Sequence, residues 1–276
     1  MRVIAREIPR LESLNLPKVV RDVALSRRGF TLVTGTTGSG KSTTLAAMLD
    51  LINESHRSKI ITIEDPIEFV HVNKKSMITQ FEVGVDTPSF GRALRQSLRQ
   101  DPDVILIGEL RDAETLRIAL HAADTGHQVL STVHSATAPQ TIERIIAMFP
   151  AAEHQLLLSQ LAGSIEAIIS QRLVATREGG RRPAVEVLRG GMLVEEYILE
   201  NRLDDVAEYM KTGDSGMQTF DQHLLGMYEA DVVSGIEALR WATNPEALSM
   251  RMRMSTWTRK DSQAAVTGDK DYELRE

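Results

Sequence analysis

Eight consecutive residues, Gly35-Thr36-Thr37-Gly38-Ser39-Gly40-Lys41-Ser42, constrain this chain more than any other feature. They fit G-x-x-x-x-G-K-[ST] without a gap, a pattern that requires a strand in front and a helix behind. Glycines let the backbone curl so that successive N–H groups point inward at phosphate oxygens. The helix beginning near Ser42 adds the positive end of its dipole. Lys41 supplies a mobile positive charge to the β- and γ-phosphates, and the Ser42 hydroxyl can ligate Mg²⁺. The flanks agree: Phe30 to Thr34 reads as a short buried strand, and Ser42 to Leu51 as a helix rich in Ala, Leu and Met. The cradle therefore comprises Gly35, Thr36, Thr37, Gly38, Ser39, Gly40, Lys41, Ser42 and Thr43, and its ligand is ATP with Mg²⁺.

The surrounding pattern alternates between the two kinds of element. Lys59 to Glu64, Val104 to Ile107 and Gln128 to Val133 read as strands. Pro88 to Arg99, with Thr87 as N-cap, and Ala113 to Ala123 read as helices. Leu14 to Arg28 reads as an amphipathic helix with Pro17 in its first turn. Short apolar strands alternating with helices predict a parallel sheet covered on both faces, an α/β P-loop NTPase core. Ile168 to Val174 and Ala184 to Leu188 read as further strands. Beyond Gly190-Gly191 the pattern is helical: Val194 to Leu199, Leu203 to Lys211, Phe220 to Tyr228 and Gly235 to Trp241. The expected division is a core over 29–190, a small helical subdomain over 191–254 and a disordered tail over 255–276.

A phosphate cradle alone does not hydrolyse anything. Hydrolysis needs acidic groups on neighbouring strand ends, to hold Mg²⁺ and orient water. Two acidic sites follow apolar strands, where ligands bind in such sheets. Glu64-Asp65 comes directly after Ile60-Ile61-Thr62-Ile63, and Pro66 ends the strand. Glu109 follows Val104-Ile105-Leu106-Ile107-Gly108, the layout of a Walker B segment with Gly in place of the usual Asp. Glu109 is accordingly a candidate catalytic acid and, with Ser42, a candidate Mg²⁺ ligand. The last strand carries a histidine at each end: His127 on the edge away from the cradle, and His134 beside the other strand termini as a γ-phosphate sensor.

Composition excludes several other functions. The chain has 276 residues, a formal net charge of −6, 4% aromatic residues and no cysteine. Disulfides, zinc-thiolate sites and cysteine nucleophiles are therefore excluded. The acidic balance and scarce aromatics disfavour a nucleic-acid translocase. No apolar run approaches the roughly 20 residues that span a bilayer. Membrane association is thus expected only through partners.

Four segments stand in order: GTTGSGKSTT (35–44), IITIEDPIEFVH (60–71), DPDVILIGELRD (101–112) and TGHQVLSTVH (125–134). Together they resemble the Walker A, Asp box, atypical Walker B and His box of the secretion ATPase superfamily, in particular its PilT/PilU-like retraction ATPases of type IV pili. The resemblance runs from about residue 2 to about residue 250. It implies a RecA-like domain in a ring-shaped homo-hexamer with ATP between subunits, powering pilus retraction and twitching motility. It also implies a preceding PAS-like domain, with residues 1–28 as the linker and first helix after it. Glu64 would be the acid near the attacking water, Glu109 the Walker B acid and His134 the phosphate contact. Arg2 matches a family arginine that reaches the γ-phosphate in the assembled ring. The implied partners are an inner-membrane pilus platform protein and a paralogous retraction ATPase, at the cytoplasmic side of the inner membrane.

One stretch departs from the resemblance. PilT-type members carry Ala-Ile-Arg-Asn-Leu-Ile-Arg where this chain has Leu193-Val194-Glu195-Glu196-Tyr197-Ile198-Leu199, so both arginine positions are lost, to Glu195 and Leu199. A PilU-like accessory motor accommodates that change. A related motor for type II or type IV secretion is the second reading; the assembly and type II ATPases usually carry a four-cysteine insertion in this domain, and the absence of cysteine favours the retraction branch. An ATP-binding accessory ring subunit with slow turnover is the alternative from a different class.

Overall fold

The computed structural model describes residues 7–255. Its apolar runs form strands because both of their faces find helices to cover them. The strands are β1 (Gly29–Thr34), β2 (Lys59–Glu64), β3 (Met77–Glu82), β4 (Val104–Ile107), β5 (Gln128–Val133), β6 (Ile165–Ala175) and β7 (Arg181–Arg189). They make one seven-stranded sheet in the order β3-β2-β4-β5-β1-β6-β7. All neighbours from β3 to β6 are parallel, and β7 closes the other edge antiparallel to β6.

Alternation along the strands sorts side chains onto two cores. Phe30, Leu32, Ile61, Ile63, Ile105, Ile107 and Val129 point to one face. There they meet α3 (Phe90–Leu98), α4 (Ala113–Asp124), α5 (Ala138–Ala147) and α6 (His154–Ser164). Val33, Ile60, Val104, Leu106 and Leu130 point to the opposite face, against α1 (Val19–Ala24) and α2 (Lys41–Ser55). The architecture is the α/β class expected from the sequence.

The expected helix over Leu14 to Arg28 is broken. A 3₁₀ turn at Leu11–Leu14 ends on Asn15 in the left-handed region, φ 54°, and α1 begins only at Val19. A residue with positive φ cannot continue a right-handed helix, and Pro17 then restricts the residue before it. The N-cap of α3 is Ser89, whose side chain accepts from the Arg92 N–H at 3.3 Å, and not Thr87. Thr87 instead donates its hydroxyl to the Ser89 carbonyl.

The helices after Gly190 do not share one core. α7 (Met192–Leu199) and α8 (Leu203–Met210) pack against α6 and α5, and Val194, Ile198, Val206 and Met210 join the first core. α9 (Phe220–Glu229), α10 (Gly235–Trp241) and a helical segment at 245–255 instead enclose a separate cluster with Val174 of β6 and Ala184 of β7. The tail expected over 255–276 lies, apart from Ser255, outside the described residues, and so does Arg2.

Candidate active site

The sheet topology sets the place of the site. β1 leads into α2 on one face, while its neighbour β5 leads into α5 on the other. Where adjacent parallel strands send their connections to opposite faces, a crevice opens at their carboxyl ends. The 35–42 loop lies at that point.

Gly35 is required there. It adopts φ 139°, and a Cβ would come within 2.4 Å of the Gln171 carbonyl oxygen and 2.6 Å of Ser39 Oγ. Helix α2 starts at Lys41, so its first N–H groups face the loop's interior. Lys41 Nζ donates to the loop's own carbonyls, Gly35 O and Thr36 O, both at 3.0 Å. Burial pushes the Lys41 ammonium below its ordinary pKa, while Glu109 and Glu68 pull it back up.

Glu64, Glu109 and His134 converge from three different strand ends on one cleft of about 610 Å³, which Lys41, Ser42 and Thr43 also line. Glu109 pairs on one oxygen with His134, Nε2 to Oε1 at 3.2 Å, and on the other with Arg111 at 2.8 Å. Arg111 reaches Asp65 as well, at 3.6 Å. Gly108 is the residue that lets these ends meet. Its N–H donates to the Ile63 carbonyl at 2.8 Å, and a Cβ there would sit 3.3 Å from Glu64 Cα. The usual aspartate of a Walker B segment would crowd the backbone that carries Glu64. Thr132 Oγ1 donates to the Gly108 carbonyl at 2.7 Å, which ties the turn to β5.

Burial raises the Glu64 carboxyl above its ordinary pKa, opposed by hydrogen bonds from the Thr62 hydroxyl, the Gln80 amide and the Glu68 backbone N–H. His71, on the cleft wall, is pushed down to about 4 by burial. His127 stands at the amino end of β5, where its Nδ1 lies 2.9 Å from the Ala122 carbonyl. It is on the far side of the sheet from the cleft, as its position before the strand predicted.

The structure also brings in residues that sequence reasoning passed over. Arg111, Glu68, Phe69 and His71 line the same cleft. Arg111 was legible in principle, because an arginine two residues beyond a strand-end acid can fold back on it. Gln80 was not, because β3 had no legible signal. It is an edge strand, half-buried along most of its length, and its side chains show no alternation.

A model of the family described as type II/IV secretion system protein matches residues 11–212. A "twitching motility protein" of Neisseria gonorrhoeae is 47% identical over 250 residues, which is 90% of this chain and 67% of that protein. The "type IV pilus ATPase PilU" of Pseudomonas aeruginosa is 40% identical over 276 residues, 99% of this chain and 72% of that protein. A crystal structure of the pilus retraction motor PilT with bound ADP superposes with a TM-score of 0.85 at 43% identity, covering 90% of this chain and 71% of that one. The chain belongs to the type II/IV secretion system protein family and is similar over most of its length to the pilus retraction ATPases within it.

Proposed function

We propose that the protein is an ATP-hydrolysing motor that powers type IV pilus retraction and twitching motility, working as a homo-hexameric ring at the cytoplasmic side of the inner membrane. The observation that carries the reading is the convergence of a complete phosphate cradle with Glu64, Glu109 and His134 in one cleft. Each group has a task in phosphoryl transfer to water. The 35–42 backbone and Lys41 hold the β- and γ-phosphates. Lys41 now rests on carbonyls of its own loop, and phosphate oxygens are stronger acceptors for the same donor. Glu64 orients and deprotonates the attacking water, which its raised pKa favours. His134 contacts the γ-phosphate and reports its presence to Glu109, 3.2 Å away.

Ser42 and Glu109 are the Mg²⁺ ligands in this reading. Among the described residues no three His, Cys, Asp or Glu side chains gather into a metal cage. A magnesium ion that takes most of its ligands from phosphate and water suits so sparse a donor set. Bound there, it would neutralise charge on the phosphate oxygens. Arg2, outside the described residues, would supply the remaining positive charge across the ring interface. No described helix is long and apolar enough to cross a membrane. Force would therefore pass to an inner-membrane platform protein by contact.

The test is ATP turnover by the full-length chain beside Lys41→Ala, with twitching and surface pili scored in a deletion strain. Lys41→Ala should abolish turnover while the protein stays folded. Unchanged turnover in that variant would sink the ATPase reading, and normal twitching in the deletion strain would sink the retraction role. One observation favours a PilU-like variant of the reading: α7 carries Glu195 and Leu199 where PilT-type members have arginines, and the match to PilU spans nearly the whole chain. In that case the deletion should weaken twitching without abolishing it, because a paralogous PilT-like ATPase remains.

A further inference from the structure

Thr62 and Gln80 are cross-strand partners in the β2–β3 pair, where Glu64 stands opposite Glu82. Both donate to the same oxygen of Glu64. Thr62 Oγ1 reaches Oε1 at 2.7 Å, and Gln80 Nε2 reaches it at 3.2 Å. Neither side chain lines the cleft, so each can act on the chemistry only through the groups it holds. Gln80 also does something that Thr62 does not. Its Nε2 donates to the Phe69 carbonyl at 3.0 Å, and its Oε1 accepts the His71 N–H at 2.8 Å. The segment it grips carries Glu68, Phe69 and His71, which form the cleft wall facing the phosphate loop. A primary amide can donate to a carboxylate and a carbonyl while accepting from a backbone N–H, which a hydroxyl, carboxylate or ammonium of similar length cannot.

We propose that Gln80 is a positioning residue for Glu64, locking the carboxylate and the 67–71 wall of the cleft into one fixed relation. A glutamate has a flexible stem, and a group that orients water must be held to within about half an ångström. Two donors from one strand pair, converging on a single oxygen, remove the rotation that would turn that oxygen away. Because the same amide grips the wall, any movement of the wall when nucleotide enters is transmitted to the acid. The inference rests on the reading of Glu64 as the water-orienting acid.

The experiment is a double-mutant cycle on steady-state ATP hydrolysis by the full-length protein, with Gln80→Met, Glu64→Gln and the pair, and with thermal unfolding measured on each. Gln80→Met should lower kcat about tenfold and leave KM for ATP within about twofold, since one hydrogen bond to a charged group is lost. In the Glu64→Gln background the same substitution should cost less than about twofold, because the group it positions is already disabled. Gln80→Glu keeps the acceptor for the His71 N–H and loses the donor to Glu64. It should reduce kcat at least as much as Gln80→Met, which covers the case in which Gln80→Met fails to fold. A wild-type kcat in a folded Gln80 variant, a raised KM with kcat intact, or an equal loss in both backgrounds overturns the positioning role. If Glu64→Gln alone turns over normally, the reading of Glu64 falls and the positioning role falls with it. A dead Glu64→Gln beside a Gln80→Met of wild-type kcat overturns the positioning role alone.

Discussion

Two glutamates in this molecule share a local chemistry and differ in everything around it. Glu64 and Glu186 are both carboxyls that burial raises above their ordinary pKa, Glu186 to about 7. Glu64 stands at the open end of β2, where it accepts from the Glu68 N–H and from two side chains, Thr62 and Gln80. Glu186 is buried in β7 and is held by helix starts. It accepts the Ala138 N–H of α5 at 2.8 Å and a backbone hydrogen bond from Phe220, the first residue of α9. Those helices belong to different cores, so one carboxylate pins the first core to the C-terminal cluster. Helix N-termini favour negative charge whether or not a ligand is present. Glu64 itself faces a cleft whose contents change. The environment of Glu186 serves architecture and that of Glu64 serves chemistry.

The contrast is most sharply exposed by removing charge at constant shape. Glu64→Gln, and Glu109→Gln beside it, should cut turnover by at least about a hundredfold with nucleotide affinity largely kept, roughly 2.7 kcal/mol of transition-state stabilisation. Glu186→Gln should change kcat by less than about threefold. ATPase assays with a fluorescent-nucleotide titration decide it, and a reversed order would dissolve the comparison.

A smaller effect belongs to Glu186 and is read as stability against pH. Its folded pKa of about 7 exceeds the ordinary 4.5, so the native state holds the proton more tightly than the unfolded chain. The contribution is fully present below pH 4.5, declines through the window up to about 7, and is absent above it. Between pH 5 and pH 7 the wild type should lose about 2 kcal/mol relative to Glu186→Gln. Urea unfolding of both proteins at the two pH values measures this, and parallel curves would place the charge of Glu186 in a better-solvated setting.

The smallest expected effect separates the two ends of β5. His134→Ala should lower kcat by about tenfold, because it faces Glu109 in the cleft, whereas His127→Ala should stay within about twofold. Equal losses would mean that the amino end of the strand also feels the nucleotide.

Much of the site was legible before folding, and the reason is local. Gly35 to Ser42 needs only its own backbone and the helix after it, so sequence suffices. Glu64, Glu109 and His134 were legible because each ends an apolar run, and parallel strands deliver their carboxyl ends to one edge. Where two signals merged, reading failed. α6 passes at Ile165 directly into β6 with no turn residue between them, so the start of that strand went unrecognised. The helix placed over Leu14 to Arg28 failed at Asn15, whose left-handed backbone is a single-residue event inside a plausible apolar pattern.

By itself the sequence determined the phosphate loop, the order of strand-end acids and the α/β class, since all three follow from backbone conformation and short-range periodicity. Only the tertiary structure decided that Gln80 grips Glu64, that Arg111 bridges Glu109 and Asp65, and that Glu186 receives two helix starts. These contacts join residues from separate elements, and no local propensity encodes them. They exist because strand order and register, set by packing both faces of the sheet, bring those side chains within hydrogen-bonding distance.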